Sequence, residues 1–302
     1  MSYARLIVNP AAGAGRTAKK WPQIMSLLKN IGLRFEHDLT EAPKHAIELA
    51  KSAAKKGYEF IVSVGGDGTI NEVVNGLNDA GSIDHVLLGI IGTGTGSDYI
   101  RTLGIPRHPR EACQRLLNPR RVVVDLGVAE YTINGRMAKR LFVNFAGLGF
   151  DAEVVKATTQ RFKALGSVPS YLMGLLTTFL SYQNVEVSLE VDGVTEQRRV
   201  CSVMVNNGKY GGGNMFLAPQ ADPGDGLLDM LIIGDITRPD LLCSLPRIYR
   251  GTHLTHPKVT IKRARQIRIE TREPISLHAD GELLGGSPVS FRILPAALNV
   301  AV

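Results

Sequence analysis

In the first part of the chain, short apolar runs alternate with longer segments whose apolar residues recur at helical spacing. Val86–Ile91 is apolar throughout, as expected of a parallel strand that is buried on both faces. Gly57 follows an alanine-rich amphipathic segment, at the position where a glycine commonly ends a helix. The alternation predicts a doubly wound parallel sheet covered by helices, in three layers. The predicted strands are Arg5–Asn9, Leu33–Asp38, Glu59–Val64 and Val86–Ile91, and the predicted helices are Thr17–Ile31, Glu41–Lys56 and Thr69–Leu77.

The pattern changes after about Arg120, where strand-like segments dominate. Val122–Glu130 and Met137–Phe145 flank Asn134-Gly135, a dipeptide typical of two-residue hairpins. Helical segments are predicted only at Ala152–Tyr182 and near Asp240–Tyr249. This half therefore favours an antiparallel β-sandwich or meander. The remaining predicted strands are Val185–Val191, Val200–Val205, Leu227–Ile233, Val259–Ile261, Gln266–Glu270, Ile275–His278 and Val289–Ile293.

The composition restricts the possible binding partners more than it restricts the possible folds. The chain has 44% hydrophobic and 21% charged residues, which is ordinary for a globular protein. Its formal net charge of +7 is compatible with phosphorylated ligands, an anionic membrane surface or nucleic acid. The basic residues are scattered, however, and they do not interleave with aromatic residues, so we predict no nucleic-acid partner.

The cysteines and the apolar segments indicate a cytoplasmic protein. Cys113, Cys201 and Cys243 are too far apart for a metal motif or a disulfide framework. The apolar stretch Tyr171–Tyr182 is shorter than the ~20 residues that span a bilayer. The chain starts with a strand-like run at Leu6–Val8 rather than with a signal peptide, which again favours the cytoplasm.

Three glycine-rich corners follow three predicted strands of the first half. They are Asn9–Arg16, Gly65–Thr69 and Gly92–Asp98. Ligands of open α/β sheets bind at the carboxyl ends of strands, and backbone N–H groups at helix N-termini bind phosphate there. Glycine lets the backbone approach a ligand closely. Three such corners at one edge therefore predict a ligand with several phosphates.

Two common phosphate motifs can be compared with these corners. A P-loop requires Gly-x-x-x-x-Gly-Lys followed by Ser or Thr, and no corner has that pattern. Gly13-Ala-Gly15-Arg-Thr-Ala18 does fit the dinucleotide fingerprint, with Glu36 and Asp38 near the offset expected for a ribose ligand. A Rossmann-type oxidoreductase is therefore an open alternative, although it leaves the other two corners unexplained.

The ordered set of motifs resembles the diacylglycerol kinase catalytic domain family, which includes soluble bacterial lipid kinases and the sphingosine and ceramide kinases. Gly65-Gly-Asp-Gly-Thr69 followed by Asn71-Glu72 is similar to the family signature. Asn9-Pro-Ala-Ala-Gly13 and Gly94-Thr-Gly-Ser-Asp98 resemble its other first-domain motifs. The resemblance covers nearly the whole chain, because Asn207–Asn214, Ala221–Asp229 and Asp280-Gly-Glu282 resemble its second-domain motifs.

The resemblance implies two domains with the active site in the cleft between them. We predict an ATP-binding α/β domain at residues 1–123, to which the C-terminal tail 290–302 returns, and a β-rich lipid-substrate domain at 124–289. ATP is expected to contact the three corners and the end of the second strand. The residues predicted to bind it are Asn9, Thr40, Gly65, Gly66, Asp67, Gly68, Thr69, Asn71, Glu72, Gly94, Thr95, Gly96 and Asp98.

The resemblance also assigns the chemistry. Glu282 is the expected base, with Asp280 beside it, and Asp67 is a third catalytic candidate on the nucleotide–Mg²⁺ side. Bacterial family members imply a structural Mg²⁺ held by Asp225 and by backbone oxygens of Asp222 and Leu227. The chain departs from the family at Gly92-Thr93, which replaces Pro-Leu. A second departure, Ser97 in place of Asn, bears on nucleotide affinity because serine lacks the reach of the amide.

We therefore predict an ATP- and Mg²⁺-dependent lipid kinase that phosphorylates a lipid hydroxyl, with diacylglycerol or a related glycerolipid as the expected acceptor. A kinase of a soluble substrate, similar to an NAD kinase, is a further alternative because the Gly-Gly-Asp-Gly motif is shared. The predicted partners are a lipid substrate and a membrane surface to which the cytoplasmic protein binds peripherally. The sequence also leaves a homodimer open.

Overall fold

The computed structural model describes residues 3–133, 135–161 and 167–302, which form two compact units. Unit 1 comprises the chain up to Leu126 together with Pro295–Val302, and unit 2 comprises Gly127–Leu294. The chain passes between the units within two long strands, β5 (Arg121–Ile133) and β14 (Glu282–Ala301). The division into compact units does not show which ligand each unit binds. The assignment of ATP to the first domain and of the lipid substrate to the second therefore stays a prediction.

Unit 1 contains parallel strands that alternate with helices along the chain. Strand β1 pairs in parallel with β2 and β3, β3 pairs with β4, and the end of β14 adds to β4 in the same direction. The strands are β1 (Ala4–Val8), β2 (Phe35–Leu39), β3 (Phe60–Gly65) and β4 (Leu87–Gly92), and the helices are α1 (Arg16–Asn30), α2 (His45–Lys55), α3 (Asp67–Asp79), α4 (Asp98–Thr102) and α5 (Pro109–Gln114).

Two helices of unit 1 begin elsewhere than predicted. Helix α2 starts at His45 rather than Glu41, since Pro43 disfavours helical geometry at the residue before it, and Lys44 lies at φ 68°. Helix α3 starts at Asp67, two residues before the predicted Thr69. The glycine corner after β3 is consequently shorter than expected, and Asp67 lies in the first turn of a helix.

Arg115 joins the C-terminal end of the chain to the sheet of unit 1. Its guanidinium donates to the carbonyl oxygens of Ala301, at the end of β14, and Ile90, in β4. Burial lowers the pKa of Arg115 to about 10, which still leaves it charged at neutral pH. One side chain thus satisfies two carbonyl groups on neighbouring strands.

Substituting Arg115 should destabilise unit 1. Arg115→Met leaves the carbonyls of Ile90 and Ala301 without these donors, so we expect unfolding to become easier by roughly 2–4 kcal/mol. Urea unfolding of the whole protein measures this change. Arg110→Met, an exposed arginine on α5, is the matched control. Similar losses in both variants would contradict the anchoring role.

Unit 2 is mainly antiparallel. Strands β7, β9, β10 and β11 pair side by side, β13 pairs with β7 and β14, and β12 pairs with β8 and β14. The predicted β5–β6 hairpin is confirmed, since Ile133 pairs with Arg136 and Gly135 has φ 73°; Asn134 lies outside the described residues. The other strands are β6 (Arg136–Phe142), β7 (Phe145–Gly149), β8 (Val185–Val191), β9 (Val194–Asn206), β10 (Leu228–Gly234), β11 (Val259–Ala264), β12 (Gln266–Thr271) and β13 (Ser276–Ala279).

The long predicted helix of unit 2 consists of shorter pieces in its described part. Helix α6 (Phe150–Lys156) continues into a π-helical turn at Ala157–Arg161, and α7 covers Ser167–Ser181. Helix α8 (Arg238–Ile248) follows β10 and ends before a 3₁₀ turn at Thr252–Thr255. Within the described ranges, we find no helix that combines the length and the apolar character needed to cross a bilayer.

The central strands of unit 2 are buried on both faces. In β9, Val203 and Val205 belong to one apolar cluster, whereas Met204 between them belongs to another. The second cluster also contains Phe150 from α6 and Leu241 from α8. Because successive side chains of a strand point to opposite faces, the helices pack on one face and further strands on the other.

Candidate active site

The three glycine corners lie at one edge of the unit 1 sheet. Val8 at the end of β1 pairs with Val64 in β3, and Gly65 pairs with Gly92 at the end of β4. Parallel strands in this register end together, so the segments that follow them emerge side by side. Thr40 follows β2 at the same edge, where its N–H donates to the Val8 carbonyl at 2.8 Å.

Direct contacts hold the corners together. The Asn9 side-chain amide donates to the Thr69 hydroxyl at 3.0 Å, which joins the first corner to the second. The N–H of Thr93 donates to the Gly65 carbonyl at 2.8 Å. A Cβ on Gly94 would lie 2.5 Å from the Cα of Gly66, so the second and third corners touch through their backbones. This contact requires glycine.

Arg16 connects the first corner to the third. Its Nε donates to the Gly13 carbonyl at 3.0 Å and its Nη2 to the Thr95 hydroxyl at 2.7 Å. The side chain is exposed. The sequence leaves Arg16 open between a phosphate contact and a solvated helix face, and the structure places its charge beside two corners. An exposed guanidinium at that place suits an anionic ligand.

Asp67 stabilises the start of α4. Its Oδ2 accepts from the N–H of Asp98 at 3.2 Å, and its Oδ1 accepts from the N–H of Tyr99 at 3.0 Å. The preceding residue, Ser97, lies in the left-handed region at φ 57°, where asparagine or glycine is more common. The carboxylate therefore holds the second corner against the third, whatever else it binds.

Two further residues predicted to bind ATP make contacts inside unit 1. Glu72 accepts from the N–H groups of Lys44 and Ala46, at 3.1 and 3.2 Å, and so caps the start of α2. Asn71 is buried and accepts from the Asn75 side chain at 3.1 Å. These contacts give Glu72 and Asn71 structural partners inside unit 1, and their ATP-binding role stays a prediction.

The acids expected of a dinucleotide site are already paired. Arg5 forms ion pairs with Asp38, at 2.6 Å, and with Glu36. The hydroxyl of Tyr58 donates to Glu36 at 2.8 Å, and hydrogen bonds from Tyr58 and Tyr3 lower the pKa of Glu36. Carboxylates engaged in this way are poor acceptors for a ribose, which weighs against the Rossmann alternative.

Asp280 in unit 2 binds backbone groups. Its Oδ2 accepts from the N–H of Val143 at 2.7 Å, and its Oδ1 accepts from those of Asn144 and Phe145 at 2.9 and 3.1 Å. The residue lies at φ 47°, in the left-handed region. These bonds fix the turn between β13 and β14, and the predicted catalytic role of Asp280 stays a prediction.

Glu282, the predicted base, is less enclosed. Its carboxylate is 29% exposed and forms an ion pair with Arg140 at 2.6 Å. It pairs across the hairpin with Ala279, the residue after His278. Because neighbours on a strand face opposite sides, Glu282 and His278 lie on opposite faces of the hairpin.

The predicted Mg²⁺ ligands are partly occupied by protein groups. Asp225 accepts from the N–H of Leu227 at 3.0 Å, and its other oxygen pairs with Arg263. Arg263 also lies 3.7 Å from Asp229, whose pKa burial raises to about 6. Oxygen donors suit a hard cation, but the guanidinium already supplies the positive charge at Asp225. The side chain of Asp225 is thus engaged by protein groups, and the predicted structural Mg²⁺ at Asp222–Leu227 stays a prediction.

Within the described part of the chain, candidate metal sites built from side chains alone can also be searched for. Across residues 3–133, 135–161 and 167–302, no three or more His, Cys, Asp or Glu side chains are grouped so as to hold a metal ion. A site that includes backbone oxygens or a nucleotide's phosphates is a different arrangement from such a group.

An apolar cavity of ≈110 Å³ lies inside unit 2. Its walls include residues of the strands β7, β9, β10, β11 and β13 and of the helices α6, α7 and α8. Leu175 contributes from the apolar segment of α7, and its side chain is partly buried against the second apolar cluster. Other apolar lining residues are Phe145, Phe150, Val154, Met204, Met215 and Leu241.

Two polar residues of this cavity were not selected from the sequence as site residues. Asp151 and His278 are hydrogen-bonded at 2.8 Å, and the Ser202 hydroxyl donates to the other Asp151 oxygen at 2.5 Å. The sequence favours a packed strand residue at His278. Asp151 has the same sequence feature as Asp67, because each is an acidic residue just after a strand that ends in glycine. For Asp151 that strand is β7.

Comparisons with known proteins agree with the motif order. Residues 3–129 match the diacylglycerol kinase catalytic domain, and residues 144–302 match the YegS C-terminal NAD kinase beta sandwich-like domain. The diacylglycerol kinase of Bacillus subtilis (strain 168) is 31% identical over 100% of this chain and 97% of its own. That of Staphylococcus carnosus (strain TM300) is 28% identical over 98% and 94%.

A solved structure shows the same fold. The crystal structure of a proposed diacylglycerol kinase from Bacillus anthracis str. Sterne superposes with a TM-score of 0.79 at 28% identity, over 99% of this chain and 95% of that one. The predicted combination of an α/β catalytic domain with a β-sandwich-like second domain is confirmed. The chain belongs to the diacylglycerol kinase catalytic domain family.

Proposed function

We propose that this protein transfers the γ-phosphate of ATP to the hydroxyl group of a diacylglycerol or a related glycerolipid. The observation that carries the proposal is the union of three glycine corners at one sheet edge, through Asn9, Asp67 and Arg16. Backbone N–H groups at such corners neutralise phosphate charge without any side chain. The family to which the chain belongs supports the reaction type.

The nucleotide is proposed to bind unit 1. Its phosphates lie along Gly66–Thr69 and Thr95, with Arg16 beside them, because phosphoryl transfer needs its charge neutralised and its groups aligned. ATP is used with Mg²⁺, which supplies further neutralisation when bound. Asp67 is the candidate to hold it through water, since each carboxylate oxygen accepts only one described N–H group and keeps a further lone pair.

The lipid is proposed to bind unit 2. The apolar cavity beside α7 takes part of an acyl chain, because a site lined almost wholly by apolar side chains favours a hydrocarbon over a soluble nucleotide. Glu282 is the proposed base for the lipid hydroxyl, and such a group contributes ~10²–10⁴-fold when it lies within reach. The proposal requires Glu282 to reach the lipid hydroxyl that attacks the γ-phosphate of ATP. We also propose that unit 1 has the three-layer arrangement predicted from the sequence.

A membrane-facing surface is proposed on helices α7 and α8. Leu172, Leu176 and Leu180 recur every four residues on α7, and each is more than half exposed, as is Leu242 on α8. Helix α7 contains no charged residue. An apolar face of this kind beside an apolar cavity is suited to peripheral contact with a bilayer.

Transfer of labelled phosphate from ATP to dioctanoylglycerol in mixed micelles tests the proposal. We expect Mg²⁺-dependent labelling of the lipid and none of NAD offered in parallel. Labelling of NAD instead would favour the soluble-substrate alternative. Labelling of neither, with the folded protein shown to bind ATP, would contradict the kinase proposal. A saturable NADPH titration would support the oxidoreductase.

A further inference from the structure

We propose that Asp151 accepts a hydrogen bond from the head-group hydroxyl of a lipid whose chain occupies the cavity of unit 2. This inference rests on the proposed function and names a polar contact that positions the acceptor. It places the binding contact of the hydroxyl at Asp151, on the other face of the β13–β14 hairpin from Glu282, so the hydroxyl must leave Asp151 before Glu282 can act on it as a base.

The cavity is lined mainly by apolar side chains, and its polar lining residues are Asp151, Ser244, His253 and His278. His278 is 1% exposed, whereas the Asp151 side chain is 14% exposed. The carboxylate is therefore the more accessible member of the pair. A carboxylate can only accept hydrogen bonds when ionised, so its natural ligand is a hydroxyl or an N–H group rather than an ester carbonyl.

The surrounding residues hold Asp151 in one orientation. The Ser202 hydroxyl donates to one oxygen at 2.5 Å, and His278 Nε2 lies 2.8 Å from the other. The N–H of Gly281 lies 3.4 Å from His278 Nδ1, which makes Nδ1 the acceptor and Nε2 the donor. A Cβ on Gly147 would lie 1.8 Å from the Asp151 carboxylate, so that position must stay glycine for the pair to form.

His278 also connects the cavity to the turn that precedes Glu282. Its ring lies between Asp151 and the N–H of Gly281. A lipid hydroxyl held at Asp151 is thus linked, through one imidazole, to the backbone beside the proposed base. This linkage makes His278 a positioning residue.

A second acceptor lines the same cavity. His253 is 3% exposed, its Nε2 lies 3.0 Å from the Leu217 carbonyl, and burial lowers its pKa. The contact with a carbonyl makes Nε2 the donor, so Nδ1 is a bare acceptor, and it has no partner among the described residues. The acceptor atoms of Asp151 and His253 therefore favour a ligand that donates hydrogen bonds, which is a property of a lipid with a free hydroxyl.

Asp151→Asn is the decisive variant, compared with a lipid that lacks the hydroxyl. Displacement of a fluorescent fatty acid measures the binding of dioctanoylglycerol and of its 3-deoxy analogue. We expect the wild-type protein to prefer the hydroxyl lipid by about tenfold, the usual strength of a hydrogen bond to a charged group. The variant should lose most of that preference, because its amide keeps one acceptor oxygen but not the charge. In turnover, KM for the lipid should rise by a similar factor while KM for ATP stays unchanged.

Glu153→Gln is the matched control. Glu153 lies on the same helix and accepts from the Ser276 hydroxyl at 2.6 Å, two residues before His278, but it does not line the cavity. It should keep the wild-type preference. Equal preferences in Asp151→Asn and wild type, or an equal loss in both variants, would overturn the proposal.

Ser202→Ala decides the matter if Asp151→Asn does not fold. It keeps the carboxylate but removes one of the groups that orient it, so the preference for the hydroxyl lipid should fall severalfold. An unchanged preference would count against Asp151. If no lipid is phosphorylated, the proposed kinase function fails by itself, while the binding preference still tests the acceptor role of Asp151.

Discussion

Asp67→Ala should lower kcat/KM for lipid phosphorylation by at least about 100-fold while the protein stays folded, because misplacement of reacting groups by about 1 Å costs that much. The carboxylate accepts the first N–H groups of α4 and holds the third glycine corner against the second. Without it, Ser97 keeps a strained left-handed conformation with no acceptor behind it. The phosphate-binding edge should therefore lose its shape.

Two comparisons separate this effect from a general loss of stability. Asp79→Ala removes an exposed carboxylate at the other end of α3 and should leave activity unchanged. Asp67→Asn keeps one acceptor oxygen and should retain part of the ATP binding, as measured by calorimetry. Thermal melting should show a loss of about 1 kcal/mol for Asp67→Ala, the usual cost of a helix-start acceptor. Full activity in Asp67→Ala would refute the role given to this residue.

The sequence predicted the elements well where the apolar pattern was regular. The buried strands of unit 1 and the β5–β6 hairpin follow directly from runs and alternation, because burial requires those patterns. The starts of α2 and α3 were misplaced, since helix boundaries depend on single residues such as Pro43 and Asp67. The three glycine corners were recognised as one set because their motifs occur in the order typical of the family. Hydrophobic periodicity gives no information of that kind.

The partners of the acidic residues were not predictable from the sequence. Asp280 and Glu282 are two residues apart, yet one binds three backbone N–H groups and the other pairs with Arg140. Arg263 and Asp225 are likewise 38 positions apart and meet only because β11 pairs with the strand after the Asp225 loop. Contacts between residues that are far apart in the sequence determine which charges a site contains. A local sequence pattern does not predict such contacts.

Asp280 and Glu282 should consequently fail in different ways when substituted. Asp280→Ala removes the acceptor of three backbone N–H groups, so we expect a loss of roughly 3 kcal/mol or more in the free energy of unfolding. Glu282→Gln keeps the turn and should lower kcat by ~10²–10⁴-fold, with little change in stability, if Glu282 is the base.

The chain offers a close control for the Asp280 substitution. Asp192 also has a positive φ, at 46°, and accepts two backbone N–H groups, from Arg265 and Gln266, but it is exposed. Because water can replace its bonds, Asp192→Ala should cost only about 1 kcal/mol. Urea unfolding and lipid phosphorylation on the same samples separate the two roles. If Asp280→Ala unfolds at the same urea concentration as the wild type but is inactive, Asp280 acts in the chemistry. The structural role argued for Asp280 from its contacts would then be wrong.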